Sequence, residues 1–352
     1  MIKETVKGEY DFVPIAEHPT ALQKMLPLAE VLFWRHASHL PSSIPSLDKI
    51  LHTSPMHHLF IGLPVYNGER FLREAIDSLL AQSHKNLTLY ISDDASTDET
   101  QNICTQYAAQ DARVVYHRQP QNLGMFSNFK FVLDAAAGDY FMWAAQDDVR
   151  DQNYAATCIE ALEKNKALGL ATTAMALIDT FGRVLATETE AAQLSGAPSM
   201  RQVARYVMQL EGLGKCNLMY GMFRTSAAHA VWRAYPQRKV WGQDYLFSLA
   251  LISRFAVHID PAPLFKKRLG GYSSPQLLLG SAAPVQLLTQ AQRRNTFPFK
   301  RFAPYFAGHM EALRGTPYQP LVLLLLLRLP RSLYVYLAKR NYKKFIRRLL
   351  TR

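Results

Sequence analysis

Residues 60–98 read FIGLPVYNGERFLREAIDSLLAQSHKNLTLYISDDASTD, and the pattern inside them decides the fold. Phe60 to Val65 is a short run apolar on both faces, as a strand buried inside a parallel sheet requires. Tyr66-Asn67-Gly68 breaks the run with turn-forming residues. Phe71, Leu72, Ala75, Ile76, Leu79 and Leu80 then recur at three- and four-residue spacing, which predicts an amphipathic helix. A second strand, Leu87 to Ser92, runs directly into Asp93-Asp94. Ser96 facing Glu99 three residues on predicts a capping box that opens another helix. This is one βαβ unit with polar residues at the carboxyl ends of both strands, where open α/β sheets bind their ligands.

The same alternation continues downstream. Strands are expected at Arg113 to His117, Tyr140 to Ala145 and Gly169 to Leu177. Helices are expected near Asn128 to Ala137, Tyr154 to Asn165 and Ser199 to Gln209, with another from Gly242 that ends before Phe255. Such alternation is the signature of an α/β protein with a mostly parallel central sheet flanked by helices. The buried strand from Tyr140 ends in Gln146-Asp147-Asp148, so its carboxylates fall at the sheet's carboxyl edge as well.

A chain of 352 residues with 49% hydrophobic and 19% charged residues is globular in composition. Three cysteines, Cys104, Cys158 and Cys216, follow no zinc or redox spacing and suit a reducing compartment as packing residues. Met1 to Tyr10 is polar and lacks the apolar core of a signal peptide. The net charge of +12 is unevenly placed: Leu264 to Arg352 holds 17 Lys and Arg against one acid, Glu311, which leaves the rest mildly acidic. An acidic partner is therefore to be sought at the tail.

Three parts are expected: an extension over 1–57, a catalytic body over 58–275 and a basic helical region over 276–352. In the extension, Ala21 to His36 reads as a helix that must accommodate Pro27, and Pro41 to Pro45 as a linker. Leu321 to Leu327 is apolar but far shorter than the roughly 20 residues a membrane span needs. Beyond it, Val335, Ala338, Tyr342, Phe345, Ile346 and Leu349 share one arc of a helical wheel, opposite Lys339, Arg340, Lys343, Lys344, Arg347 and Arg348. Such a helix suits the surface of an anionic membrane, or packs on the body with its basic face solvated.

With LPVYNGERFLREAIDSLLAQS, ISDDASTDET, the QDD at 146–148 and the GQD at 242–244 in this order, the chain resembles a family 2 glycosyltransferase of the GT-A fold, over roughly 58–275. The resemblance implies an inverting enzyme that takes sugar from a nucleotide-sugar. The first loop and the acidic loop would hold the base and ribose: Tyr66 against the base, the Pro64 backbone and Asn67 beside it, and Asp94 accepting from the ring N–H of uracil or thymine. Asp147 would hold the ribose or assist the metal, Asp148 would ligate Mg²⁺ or Mn²⁺, Asp244 would be the base, and Arg268 or Lys267 would meet the diphosphate or simply form a solvated surface face. Each acid also has a plainer role: Asp93 as a turn cap, Asp94 as a solvated carboxylate, Asp147-Asp148 as an acidic turn, Asp244 as favourable charge at a helix N-terminus. Two positions depart from the family pattern: Ala145 stands where many relatives carry an acid, and Gln243 replaces a Glu.

The expected reaction is transfer from a UDP- or dTDP-linked donor to a glycan or lipid-linked acceptor in surface polysaccharide synthesis, on the cytoplasmic face of a membrane. The competing readings are a scaffold of this fold that has lost catalysis, suggested by Ala145 and Gln243, and a nucleic-acid-binding protein, suggested by the basic charge. The last fares badly, because the charge sits in one tail and no helix-turn-helix, zinc-finger or RNA-recognition pattern is present.

Overall fold

A computed structural model of the chain describes residues 57–188, 190–209, 217–235, 242–270, 302–328 and 330. The expected helix at 21–36, the linker at 41–45 and the basic helix at 335–349 lie outside the described residues.

The opening unit forms as the periodicity predicts. β1 (Leu59–Val65) is buried throughout, α1 (Leu72–Leu80) buries Leu72, Ala75, Ile76 and Leu79, and β2 (Leu87–Asp93) pairs parallel to β1. Along β1 the side chains alternate between two cores. Leu59, Ile61, Leu63 and Val65 join the core under α1, while Phe60 joins the opposite one with Phe141, Trp143, Phe223 and Phe247. Gly62, also on that second face, lets a helix approach closely: a Cβ there would lie 2.8 Å from Val132 Cγ2.

α2 (Thr100–Gln110), β3 (Val114–Arg118), α3 (Met125–Asp134), β4 (Tyr140–Trp143), β5 (Val149–Arg150) and α4 (Tyr154–Lys164) follow. The expected capping box does not form: Glu99 is the N-cap of α2, without a side-chain cap. Ser96 Oγ instead accepts from the Asn67 N–H at 2.9 Å, so a contact between loops replaces the local one. β6 (Leu168–Ile178) is buried along its whole length, and β7 (Val184–Glu188) pairs with it. Next come α5 (Met200–Met208), the helix expected there and capped by Ser199, β8 (Met222–Arg224), α6 (Thr225–Ala234), α7 (Gln243–Ile252) and β9 (Ala256–Arg268).

The strand order is β3-β2-β1-β4-β8-β6-β9-β5, with β7 beside β6. β3, β2, β1 and β4 run parallel, which is the half that strand–helix alternation predicts. The other half is mixed: β8 runs antiparallel to both β4 and β6, β9 parallel to β6, and β5 antiparallel to β9. β8 enters between β4 and β6 without a βαβ crossover, and only such crossovers force parallel pairing.

The tail region contributes to the second core. α8 (Phe302–Ala312) packs on α7 so closely that a Cβ on Gly308 would lie 2.5 Å from Leu246 Cδ1. In the apolar run that follows, Val322 and Leu325 are fully buried, whereas Leu323, Leu326 and Leu327 are exposed. Among the described residues no helix is long and apolar enough to cross a membrane.

Candidate active site

At the carboxyl ends of β1, β2 and β4 the loops enclose a cleft of about 310 Å³, within the size range of small-molecule sites. Pro64, Val65 and Tyr66 line it from the first loop, Asp94 from the acidic loop, and Ala145, Gln146 and Asp147 from the loop after β4. Asn122, Gly124, Met125, Asn128 and Phe129 form the wall at the start of α3, and Tyr220 and Lys267 complete it. Of the residues expected to hold a nucleotide-sugar, Pro64, Tyr66, Asp94 and Asp147 converge here.

The loops are held by buried polar contacts. Asp93 is fully buried; its Oδ2 accepts from Arg118 Nη1 at 2.6 Å and Tyr116 Oη at 2.9 Å, and its Oδ1 accepts from the Ser96 N–H. Burial and the neighbouring Asp93 push the Tyr116 phenol pKa well up, so it remains a donor. Asp93 is thus the turn anchor. Asp94 faces the cleft, yet its oxygens already accept from the Leu123 and Gly124 N–H groups at 2.6 and 3.0 Å. A carboxylate offers about four lone pairs, so these two bonds orient Asp94 and leave it able to accept from a ligand.

Asn67 does not line the cleft. It sits in left-handed backbone (φ 48°), and its Oδ1 accepts from the Thr97 N–H at 2.8 Å, stitching the first loop to the acidic one. Ala95, in the acidic loop, also has positive φ (59°). For alanine this is strained backbone, of the kind that persists where surrounding contacts over-determine it.

Gln146 shares a motif with two acids but does different work. Its Oε1 accepts from the Tyr66 N–H at 2.9 Å and its Nε2 donates to the Tyr66 carbonyl at 3.1 Å. The side-chain amide pairs with the Tyr66 backbone as a neighbouring strand would, and so holds the backbone of a residue that lines the cleft. The residue type was the available signal, since Gln carries donor and acceptor at once.

Asp148 and Arg268 depart from expectation. Asp148 is not among the residues lining the cleft; its Oδ2 accepts from Lys267 Nζ at 2.9 Å and its Oδ1 from the Arg268 N–H at 3.0 Å. Both side chains of the Lys267–Asp148 pair are almost wholly buried. Burial works against the ammonium, but the charges of Asp148, Tyr220 and Asp147 and the Asp148 hydrogen bond outweigh it and hold the Lys267 pKa well above the usual lysine value. Arg268 is engaged elsewhere. Its Nε donates to the Asp147 carbonyl, Nη1 to the Asp179 carbonyl and Nη2 to Glu74 Oε2, with Phe71 stacked on the guanidinium. Arg268 therefore braces the loop after β4, and Lys267, its neighbour on the other face of β9, is the basic residue in the cleft.

These contacts bear on the expected metal. A divalent ion needs several oxygen ligands, of which one or two carboxylates are usual beside substrate phosphates. Asp148 is neutralised by an ammonium and bonded at both oxygens, and Ala145 supplies no carboxylate. The donor set does not fit an ion held by Asp148.

Asp244 stands on the first turn of α7, half-buried, with its Oδ1 accepting from the Tyr245 N–H at 3.0 Å. Its negative charge, after burial itself, raises the Tyr235 phenol pKa. It is not among the described residues that line the cleft.

A mixed sheet in this order, with an acidic cleft at the carboxyl edge of its parallel half, is the GT-A fold. Residues 60–226 match the family model for glycosyl transferase family 2. It is 31% identical over 105 residues to glycosyltransferase GlyA of Streptococcus pneumoniae, across 30% of this chain and 15% of that protein. It is 36% identical over 111 residues to the uncharacterized glycosyltransferase RP339 of Rickettsia prowazekii, across 32% of this chain and 33% of that protein. The matched stretches thus span a third or less of these relatives' own length. Among solved structures, S. aureus TarS 1-349 in complex with UDP-GlcNAc has a TM-score of 0.55 at 13% identity, covering 79% of this chain and 73% of that one. At that identity the likeness is one of fold.

Proposed function

We propose that this protein transfers a sugar from a UDP- or dTDP-linked donor to a glycan or lipid-linked acceptor, with inversion at the anomeric carbon. The observation that supports the reading is the meeting of Pro64, Tyr66, Asp94 and Asp147, from three separate loops, in one cleft at the carboxyl edge of the sheet. In this reading the pyrimidine lies against Tyr66 and donates its ring N–H to Asp94, and Asp147 accepts from the ribose hydroxyls. The acceptor oxygen bonds to the anomeric carbon as the bond to the donor phosphate breaks. The electron pair leaves with the diphosphate, and the acceptor proton passes to Asp244. One displacement of this kind inverts the centre. We assign the basic segment beyond residue 335 to an anionic membrane surface on the cytoplasmic side, which co-sedimentation of the full chain with anionic and neutral vesicles tests.

The site reading is tested by a thermal-shift panel of nucleoside diphosphates and nucleotide-sugars. UDP or dTDP is expected to raise the melting temperature, with purine nucleotides ineffective. Donor hydrolysis should be lost in Asp244→Asn while the UDP shift remains. A UDP shift with no hydrolysis by the unaltered protein would favour the scaffold, a reading suggested by Ala145, Gln243 and the position of Asp244 outside the described cleft lining.

A further inference from the structure

We propose that Lys267 is the cation of the donor site, and that its ammonium, rather than a divalent metal on Asp148, meets the charge of the donor's diphosphate. This deepens the reading above and rests on it.

The first support is placement. Residues 148 and 267 lie far apart in the chain, but β5 and β9 pair antiparallel with Val149 opposite Lys266 and Arg150 opposite Phe265. One step further along that ladder sets Asp148 against Lys267, so the contact follows from strand register and does not depend on a chance side-chain conformation. Among the described residues that line the cleft, Lys267 is the one cation. Its ammonium also lies 5.0 Å from the centre of the Tyr220 ring, another cleft residue, and a quadrupole there favours positive charge.

The second support is what remains available. An ammonium has three donors, and here one goes to Asp148 Oδ2 at 2.9 Å, which leaves two for phosphate oxygens. Asp148 has the opposite balance. Its charge is cancelled by the lysine, its second oxygen holds the Arg268 N–H, and the pair is shielded from water. For a metal to use Asp148 it must first displace a buried ammonium, and removing one partner of a buried pair is costly. Asp148 therefore holds Lys267 in the cleft as a fixed positive charge. Such a charge meets the leaving diphosphate without reorganisation.

The test is titration of the full chain with UDP and with uridine, in excess EDTA and in saturating Mn²⁺. The unaltered protein is expected to bind UDP about equally, within roughly threefold, in the two conditions. Lys267→Gln in EDTA should weaken UDP binding about 10- to 100-fold, the range of a charge-assisted hydrogen bond. It should leave uridine binding unchanged, and Lys267→Arg should restore most of the loss. UDP binding by the unaltered protein that strengthens tenfold or more with Mn²⁺ would overturn the proposal and leave the nucleotide site standing. Equal loss of UDP and uridine in a folded Lys267→Gln would also overturn it, by making the lysine structural. If that variant does not fold, the EDTA and Mn²⁺ comparison on the unaltered protein still decides. Absence of UDP binding in both conditions would remove the nucleotide reading, and this proposal with it.

Discussion

Gln146→Ala separates a loop clamp from a ligand-binding residue. The substitution removes two hydrogen bonds to the Tyr66 backbone, at 2.9 and 3.1 Å. Each is worth about 0.5–1.5 kcal/mol net, and the part-buried Tyr66 N–H and C=O are left to find other partners, so a loss of about 2–3 kcal/mol is expected. In a body of this size that lowers the melting temperature by roughly 5–10 °C. Because Tyr66 lines the cleft, UDP affinity should fall by about tenfold, the value of one hydrogen bond. Gln146→Glu sharpens the test. At neutral pH its carboxylate still accepts from the Tyr66 N–H but faces the Tyr66 carbonyl with no donor. A protonated Glu regains that donor, so its pKa in the folded state is raised and the stability it lends is present at low pH and lost as pH rises. Melting temperatures of Gln146→Glu relative to the unaltered protein should therefore improve on moving from neutral to mildly acidic buffer. A melting temperature for Gln146→Ala within about 1 °C of the parent, or a Gln146→Glu deficit independent of pH, would refute the clamp.

Asp93→Asn removes the charge that faces Arg118 and turns an N–H₂ toward one or more donors; partial exposure of Arg118 moderates the cost to about 2–3 kcal/mol, measurable by urea denaturation. Hydrogen bonds from Lys166 and Tyr140 hold the Glu163 carboxyl at about 2, below its ordinary 4.5. Its contribution to stability is thus full above that ordinary value and lost as pH falls toward 2, and Glu163→Gln should flatten the acid limb of the denaturation curve in that window. Burial pushes the Cys104 and Cys158 thiols up to about 12, so mass spectrometry after native labelling with a thiol reagent should find both unmodified, and both modified after denaturation. Gly62→Ala drives a methyl group onto Val132 and should cost about 1–3 kcal/mol by overpacking, read as a lowered urea midpoint.

How much of this was legible in the sequence depends on the range of the interaction that fixes each feature. β1, α1 and β2 declare themselves because a strand has a period of two and a helix of 3.6, and both periods fit inside a dozen residues. That Tyr66, Asp94 and Asp147 fall at the carboxyl edge was legible for the same reason, since each follows a readable buried strand. Of the three acids expected to meet in one cleft, Asp94, Asp148 and Asp244, Asp94 alone is among the residues that line it. Ser96 misled because its local partner lost to a distant one, the Asn67 N–H, and a pattern of four residues carries no trace of that competition. Lys267 and Arg268 are indistinguishable on paper. Successive residues of a strand face opposite sides, so one enters the cleft and the other crosses to Glu74 and Asp179. Which does which follows from the register of β9 against a β5 only two residues long, too short to show any periodicity. The Gln-Asp-Asp run carries the same ambiguity in compact form. Gln146 holds a backbone, Asp147 lines the cleft and Asp148 is sealed against an ammonium. Beyond the last paired residue of β4 the chain leaves the ladder, and three adjacent side chains become free to take three directions. A motif identifies where such a divergence occurs; the partners that each side chain meets decide its chemistry, and here the decisive partner is a lysine from a strand more than a hundred residues away.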